Sequence, residues 1–472
     1  MKNCLSLLCA LLFTTFLQAE NGCEITVKLD YYRYDSLWFG TSLGKRAVPD
    51  FATTVQPDGS FLLKTDKPLE EGMYAIIYRR TASSNLQFIQ VWLADGQRKF
   101  SLSTNVSVPY EKPVIVGSPE NELLFGYLKQ LDFKDKRLDE VVEHDRYEQT
   151  EAAFRERVRI EEEMRHFQDS VVANSKTGLT TKLVQQTLFP IPPASKAKKG
   201  DWRQEAAERW LYQRAHYFDN SDIATPGFTR YLQWLDRTDY FILSLGPPDP
   251  DTTKALVDAV LKKLEAYPEG YDYYLKYLTN SFTKLSKYRH DEVYVHLVRN
   301  YLEKGKATWA TQNDIRNATN TANQMEQLFE GKQAPQVTLM DRENKPVPLM
   351  EIPAKLTLFV FYMPDCSHCK REIPAIAKMY ENYKDKGLKV AAVCLKSGDD
   401  VPACWEFTDT QNLPKDWLLL VDPQRRANVI SLFNIKSYPR LFFLDENKKI
   451  VYKQNGEMSD WQMKAIFDRL LK

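Results

Sequence analysis

Two cysteines separated by two residues, Cys366 and Cys369, are the strongest chemical signal in the chain. On a helix this spacing keeps the second thiol close enough to attack a mixed disulfide formed at the first. A helix that starts at this point would offer Cys366 free N–H groups and the positive end of its dipole, which favour a thiolate. The pattern therefore predicts a dithiol centre in which Cys366 is the nucleophile and Cys369 is the resolving thiol.

Two neighbouring residues could modify the chemistry of this pair. Glu372 lies three residues beyond Cys369 on the same predicted helix face, so its carboxylate could act as a general base for that thiol. A solvated glutamate beside Lys370 and Arg371 is an equal alternative. His368 could stabilise the reduced form and so raise the reduction potential, and we favour this tuning role over an exposed residue with little influence.

The residues around the pair predict a buried strand, a tight turn and a helix. The apolar run from 356 to 362 is rich in Phe and Val, which is typical of a central parallel strand covered on both faces. This local order favours a redox pair over a structural disulfide or half of a metal site. A zinc site would need further ligands, but there is no second C-x-x-C, and the other five histidines precede residue 331. We therefore expect no metal and no other cofactor.

Residues 331–472 resemble the thioredoxin superfamily, and in particular the TlpA/ResA-like thiol-disulfide oxidoreductases of bacterial envelopes. Besides the cysteine pair, Pro374 matches the proline that kinks the first helix of this family. Tyr438 and Pro439 match its cis-proline loop. The resemblance implies an α/β thioredoxin-like domain in which Tyr438 and Pro439 shape the substrate groove.

The same resemblance sets expectations for function. It implies that the pair Cys366/Cys369 is exchanged with disulfides or thiols of exported proteins, apocytochrome c among them. A membrane thiol reductase would supply the electrons, and the family context favours a reductase over an oxidase or isomerase. Glu372 matches a glutamate with a role in proton handling. The sequence departs from the family at Val360, which replaces the buried aspartate of thioredoxin, and at Arg440, which replaces a threonine.

A binding protein is the alternative from a different class. In that case the thioredoxin-like region would be redox-inactive and would serve as a docking surface for an envelope partner, but the intact cysteine pair together with Pro439 argues against it. A copper or zinc chaperone is a third alternative. Lys plus Arg number 64 and Asp plus Glu number 63, so the charge balance gives no reason to expect a nucleic-acid partner. The sequence does not predict an oligomeric state.

The first residues predict export. The segment from Cys4 to Leu17 is apolar and of signal-peptide length, and Ala19 provides a small residue at the expected cleavage site. We therefore predict a signal peptide over residues 1–19 and a soluble periplasmic protein, since no later apolar run is long enough to span a membrane. Lipid attachment at Cys23 is the weaker alternative, because Glu20 stands where a leucine-like residue is needed.

The remaining chain predicts two accessory domains. Residues 20–118 contain short alternating segments separated by turn residues, which predict an antiparallel β-sandwich. Residues 119–330 contain apolar stripes at helical spacing and predict an all-α domain. Both regions resemble modules that precede the thioredoxin domain in Bacteroidetes proteins. The predicted architecture is therefore multidomain, with a β-sandwich, a helical domain and a thioredoxin-like domain over residues 331–472.

The pairing of Cys394 and Cys404 stays open at this point. A disulfide would require their α-carbons to lie within about 7 Å of each other. Free buried cysteines are the favoured interpretation, and Cys23 has no obvious partner.

Overall fold

The computed structural model describes residues 22–80, 86–144, 150–175, 178–221, 230–243, 245, 249–284 and 290–472. The chain forms two compact units, an N-terminal unit over residues 1–245 and a C-terminal unit over residues 246–472. The predicted signal peptide, residues 1–19, lies outside the described residues. Within the described ranges, the helices include none that is both long and apolar enough to cross a membrane.

The N-terminal unit begins with strands and continues with helices. Its strands are β1 (Cys23–Asp30), β2 (Ser36–Leu43), β3 (Arg46–Thr54), β4 (Phe61–Thr65), β5 (Gly72–Arg79), β6 (Leu86–Leu93), β7 (Lys99–Asn105) and β8 (Val114–Val116). Its helices are α1 (Pro119–His144), α2 (Glu151–Asn174), α3 (Leu179–Gln186), α4 (Trp202–His216) and α5 (Leu232–Leu243).

Two four-stranded sheets arise from the alternating segments, in the orders β4-β1-β7-β8 and β3-β2-β5-β6. Alternate residues of β1 are buried, as the period of a half-buried strand requires. The expectation of antiparallel pairing throughout is wrong at one place, because β1 pairs with β7 in parallel. These two strands are far apart in sequence, so no hairpin turn fixes their direction. The apolar core of the sheets also includes residues of α1, α2 and α3.

The segment from Gly117 to Asn121 ends the strands and starts α1. Asn121 is buried and links the helix to β6. Its Oδ1 accepts a hydrogen bond from the backbone N–H of Trp92 at 2.7 Å, and its Nδ2 donates to the carbonyl of Trp92 at 2.9 Å. The amide thus satisfies two backbone groups that would otherwise be buried without partners.

The C-terminal unit contains four helices followed by a mixed sheet with its own helices. Its helices are α6 (Pro250–Leu264), α7 (Pro268–Lys284), α8 (His290–Leu297), α9 (Gln312–Glu326), α10 (Ser367–Tyr380), α11 (Pro402–Thr410), α12 (Val429–Leu432) and α13 (Asp460–Leu470). Its strands are β9 (Thr338–Met340), β10 (Pro346–Pro348), β11 (Leu356–Tyr362), β12 (Leu388–Cys394), β13 (Leu418–Val421), β14 (Arg440–Asp445) and β15 (Ile450–Asn455).

The seven-stranded sheet has the order β10-β9-β13-β12-β11-β14-β15. Every residue of β11 is buried, because the strand lies between β12 and β14 and carries an apolar core on each face. It pairs with β12 in parallel and with β14 in antiparallel orientation. The thioredoxin-like C-terminal fold is therefore present, with β11 as an interior strand covered on both faces, as predicted.

The division between the two units falls inside the segment from 119 to 330, which the sequence groups as one helical domain. Helices α6 to α9 belong to the same unit as the sheet. One contact between them is buried: Lys453 of β15 donates to the carboxylate of Asp291 in α8 and to the carbonyl of Leu328, the latter at 2.8 Å. The predicted domain boundaries stay a prediction.

Candidate active site

The turn between β11 and α10 brings the cysteine pair to the end of the central strand. Cys366 is the N-cap residue of α10, and its backbone is extended, with φ −80° and ψ 121°. Its N–H donates to the carbonyl of Met363 at 3.2 Å, and its carbonyl accepts from the N–H of Lys370 at 3.1 Å. The first helical turn therefore begins at Cys366, as the sequence predicts.

The two sulfurs differ sharply in exposure. Cys366 is half-buried, whereas Cys369 is fully buried at 0% exposed, and both are free thiols. The pKa of Cys369 is raised to about 12, mainly by burial and also by a hydrogen bond with the Cys366 side chain. A partner molecule can thus reach the first sulfur but not the second, and the two sulfurs are already in contact.

Glu372 lies one helical turn beyond Cys369 and is buried, at 3% exposed. Its Oε1 accepts a hydrogen bond from the backbone N–H of Met458 at 3.1 Å. The pKa of Glu372 is raised to about 7. Burial is the main cause, the hydrogen bond from Met458 lowers the pKa, and the nearby charges of Glu457 and Asp460 also raise it. The alternative of a solvated glutamate is wrong, and the carboxyl group can gain or lose a proton close to neutral pH.

Tyr438 and Pro439 lie next to Cys366. The peptide bond between them is cis, and the Cys366 Sγ donates to the carbonyl oxygen of Tyr438 at 3.7 Å. The Tyr438 side chain is exposed. Arg440, which follows, is buried and donates to the Asn455 side chain. The loop therefore presents backbone polar groups beside Cys366, where a groove for a partner is expected.

His368 lies in the same first turn of α10, and its side chain is exposed. Its proposed influence on the reduction potential stays a prediction.

Cys394 and Cys404 form a disulfide that joins the end of β12 to α11, and their α-carbons lie 6.0 Å apart. The favoured expectation of free cysteines is therefore wrong. The sequence could not decide the pairing, because it depends on how α11 packs against the sheet. Cys394 pairs in register with Tyr362 of β11, and the disulfide belongs to the same apolar core as Cys369.

Two ion pairs beside the cysteines were not predicted. Lys396 binds the carboxylate of Asp365, one residue before Cys366, at 3.1 Å, and its hydrogen bond is the main reason that the pKa of Asp365 is lowered. Arg371 binds Glu457 through Nε at 2.8 Å. Because the carboxyl ends of parallel strands meet at one edge of a sheet, the position of Lys396 just after β12 could have indicated its pair. No sequence signal links Arg371 with Glu457.

The region that contains this site is similar to known proteins. The AhpC/TSA family matches residues 331–453. The thiol-disulfide oxidoreductase ResA of Halalkalibacterium halodurans is 29% identical over 142 residues, which is 30% of this chain and 77% of that protein. The thioredoxin-like protein YneN of Bacillus subtilis is 30% identical over 142 residues, which is 30% of this chain and 80% of that protein.

A solved structure of a thioredoxin-like protein from Bacteroides caccae is similar over 60% of this chain and 97% of that chain, with 15% identity and a TM-score of 0.45. The two sequence relatives are matched over most of their own length. The residues matched by the family model include the cysteine pair and the cis-proline loop. The chain therefore belongs to the thioredoxin-like proteins, and its C-terminal region is similar to the ResA/TlpA-like thiol-disulfide oxidoreductases.

Proposed function

We propose that the protein is a periplasmic thiol-disulfide oxidoreductase that uses Cys366 and Cys369 to reduce disulfides of exported proteins. The main support for this proposal is the difference in exposure between the two sulfurs. The two sulfurs lie on the same helical turn in mutual contact, yet only that of Cys366 is open to a partner. This asymmetry suits a nucleophile that meets the substrate and a second thiol that acts only within the protein.

The reaction then has two exchange steps. The Cys366 thiolate attacks one sulfur of a partner disulfide, so a mixed disulfide forms and the other partner sulfur leaves as a thiolate, which takes up a proton. Cys369 then loses its proton and attacks the Cys366 sulfur, which breaks the mixed disulfide and releases the second partner thiol. Two electrons pass to the partner, and the pair becomes a disulfide.

Glu372 supports the second step in this proposal. A thiol with a pKa of about 12 needs help to lose its proton at neutral pH, and a carboxyl group with a pKa of about 7 lies on the same helix face. Since a general base works best with a pKa near the operating pH, Glu372 is suited to accept the proton of Cys369. The backbone beside Tyr438 and Pro439 would bind the partner segment that carries the disulfide.

The remaining assignments are proposals supported by the sequence. Residues 1–19 would direct export to the periplasm, and residues 20–118 and 119–330 would form a β-sandwich and a helical domain that select partners. Exported proteins with disulfides, including apocytochrome c, are the proposed substrates, and a membrane thiol reductase is the proposed electron donor. The two four-stranded sheets with their common core support the sandwich.

Reduction of insulin by dithiothreitol tests the proposed activity. We expect the full chain to accelerate insulin precipitation and Cys366→Ser to return the rate to background, because the replacement removes the nucleophile. Cys23→Ser is the matched control, since Cys23 is also a buried free thiol but lies in the N-terminal unit, and it should keep the wild-type rate. A wild-type rate equal to background would favour the binding-protein alternative.

A further inference from the structure

A cavity of about 240 Å³ lies among helices of the N-terminal unit. Residues from α1, α2 and α5 line it, together with Phe189 and Tyr217 from the segments between helices. Its walls are largely apolar, with Leu131, Met164 and Tyr240 among them. It involves no residue of the candidate active site and has no role in the proposed reaction.

One charged residue of this cavity stands out because its charge is not compensated. Arg237 is 7% exposed, and its guanidinium donates to the carbonyl oxygens of Thr187 and Leu188, each at 3.1 Å, and to that of Tyr217. It also lies over the Tyr217 ring, 4.2 Å from the centroid. Its Nε has no hydrogen-bond partner in the described part of the chain.

The carboxylates that line the cavity are bound to other cations. Glu161 accepts from Arg209 at 2.8 Å. Asp236 lies 3.3 Å from Lys45, and Asp135 lies 3.0 Å from Lys134. These ion pairs leave Arg237 as a buried cation that, within the described ranges, has no carboxylate within 4.0 Å.

A buried charge of this kind is costly unless an anion approaches it. Arginine cannot lose its proton in a protein, so burial cannot be relieved by neutralisation. Hydrogen bonds to three carbonyls satisfy donors but bring only partial negative charge. A monoanion in the cavity would supply the missing charge, and the apolar walls would bury a hydrocarbon body attached to it.

We propose that this cavity binds a small monocarboxylate with an apolar body, and that the carboxylate faces Arg237. A multiply charged anion fits less well, because the cavity offers one uncompensated cation. The cavity volume of about 240 Å³ limits the ligand to a small molecule.

Calorimetric titration of the full chain with 3-phenylpropionate tests the proposal. The matched probe is 3-phenylpropionamide, which has the same shape but no charge. We expect the carboxylate to bind at least about tenfold more tightly than the amide, since a hydrogen bond to a charged group contributes about 1.5 kcal/mol or more. Equal affinity for the two probes, or no binding of the carboxylate at millimolar concentration, would overturn the proposal.

Two variants locate the binding. Arg237→Met should remove the preference for the carboxylate. Because that replacement also breaks three hydrogen bonds and could unfold the unit, Leu138→Trp provides a second test: it keeps the arginine and fills part of the cavity from a half-buried wall position. Loss of carboxylate binding in a folded Leu138→Trp protein, checked by circular dichroism, supports the assignment. Unchanged binding in that protein would place the ligand elsewhere and contradict it.

Discussion

Replacing Cys369 with serine is expected to stop turnover and to leave the protein covalently attached to its partners. Cys366 is half-buried and keeps its position at the start of α10, so it can still attack a partner disulfide. The mixed disulfide then has no internal thiol to resolve it. Insulin reduction should fall to background, and complexes sensitive to dithiothreitol should accumulate when the variant is expressed in its own cell envelope.

The double variant Cys366→Ser/Cys369→Ser is the control for this experiment, because it keeps the same fold but lacks the nucleophile. It should form no complexes. Mass spectrometry of the species trapped by the single variant would identify the partner proteins. Identical patterns from the single and double variants would contradict the assignment of Cys366 as nucleophile.

Glu372→Gln is expected to slow resolution of the mixed disulfide by about 10²-fold while leaving the first attack by Cys366 nearly unchanged. Glutamine keeps an acceptor for the N–H of Met458 but cannot take a proton from Cys369. Stopped-flow measurement of both steps tests this, with Glu381→Gln as the control, because Glu381 is an exposed carboxylate that follows the same helix. Equal slowing of both steps would contradict the role assigned to Glu372.

The pH dependence gives a second measure of the same residue. The pKa of Glu372 is about 7, so its carboxyl group is mostly protonated below that pH and becomes a base above it. The resolution rate of the wild type should therefore rise as the pH increases through 7, and this rise should be lost in Glu372→Gln.

The stability of the folded protein should change with pH in the direction opposite to that of the resolution rate. The folded protein binds a proton at Glu372 more tightly than the unfolded chain, whose pKa is near 4.5. The free energy of unfolding contributed by this group is therefore greatest below pH 4.5 and is lost as the pH rises to about 7. Denaturation of the wild type and of Glu372→Gln at a series of pH values in this range should show this loss of unfolding free energy only in the wild type.

The parts of the site that the sequence predicts correctly are those with local causes. The apolar run from 356 to 362, the turn and the helix that starts beside Cys366 follow from periodicity and helix-start chemistry within about 25 residues. The i, i+3 spacing also places Glu372 correctly on the face of Cys369. The groups that contact these residues belong to segments that are far away in the sequence.

Three features depend on tertiary packing and could not be predicted from any local sequence pattern. The N–H that donates to Glu372 belongs to Met458, in the loop before α13. The burial of Glu372 could therefore not be predicted from its own helix. The disulfide between Cys394 and Cys404 requires a particular approach of α11 to β12. The parallel pairing of β1 with β7 joins strands that are separated by five others, where hairpin rules do not apply.

A redox titration of the full chain in glutathione buffers, followed by thiol blocking and peptide mass mapping, tests most directly whether Cys366 and Cys369 form a redox couple. We expect these two residues to lose their free thiols together in a single two-electron transition, while Cys23, a free thiol elsewhere in the chain, stays unpaired throughout. If Cys366 and Cys369 instead stay reduced at every buffer ratio, or if Cys366 forms only a glutathione adduct with Cys369 still free, the two residues do not form a redox couple and the proposed function is wrong.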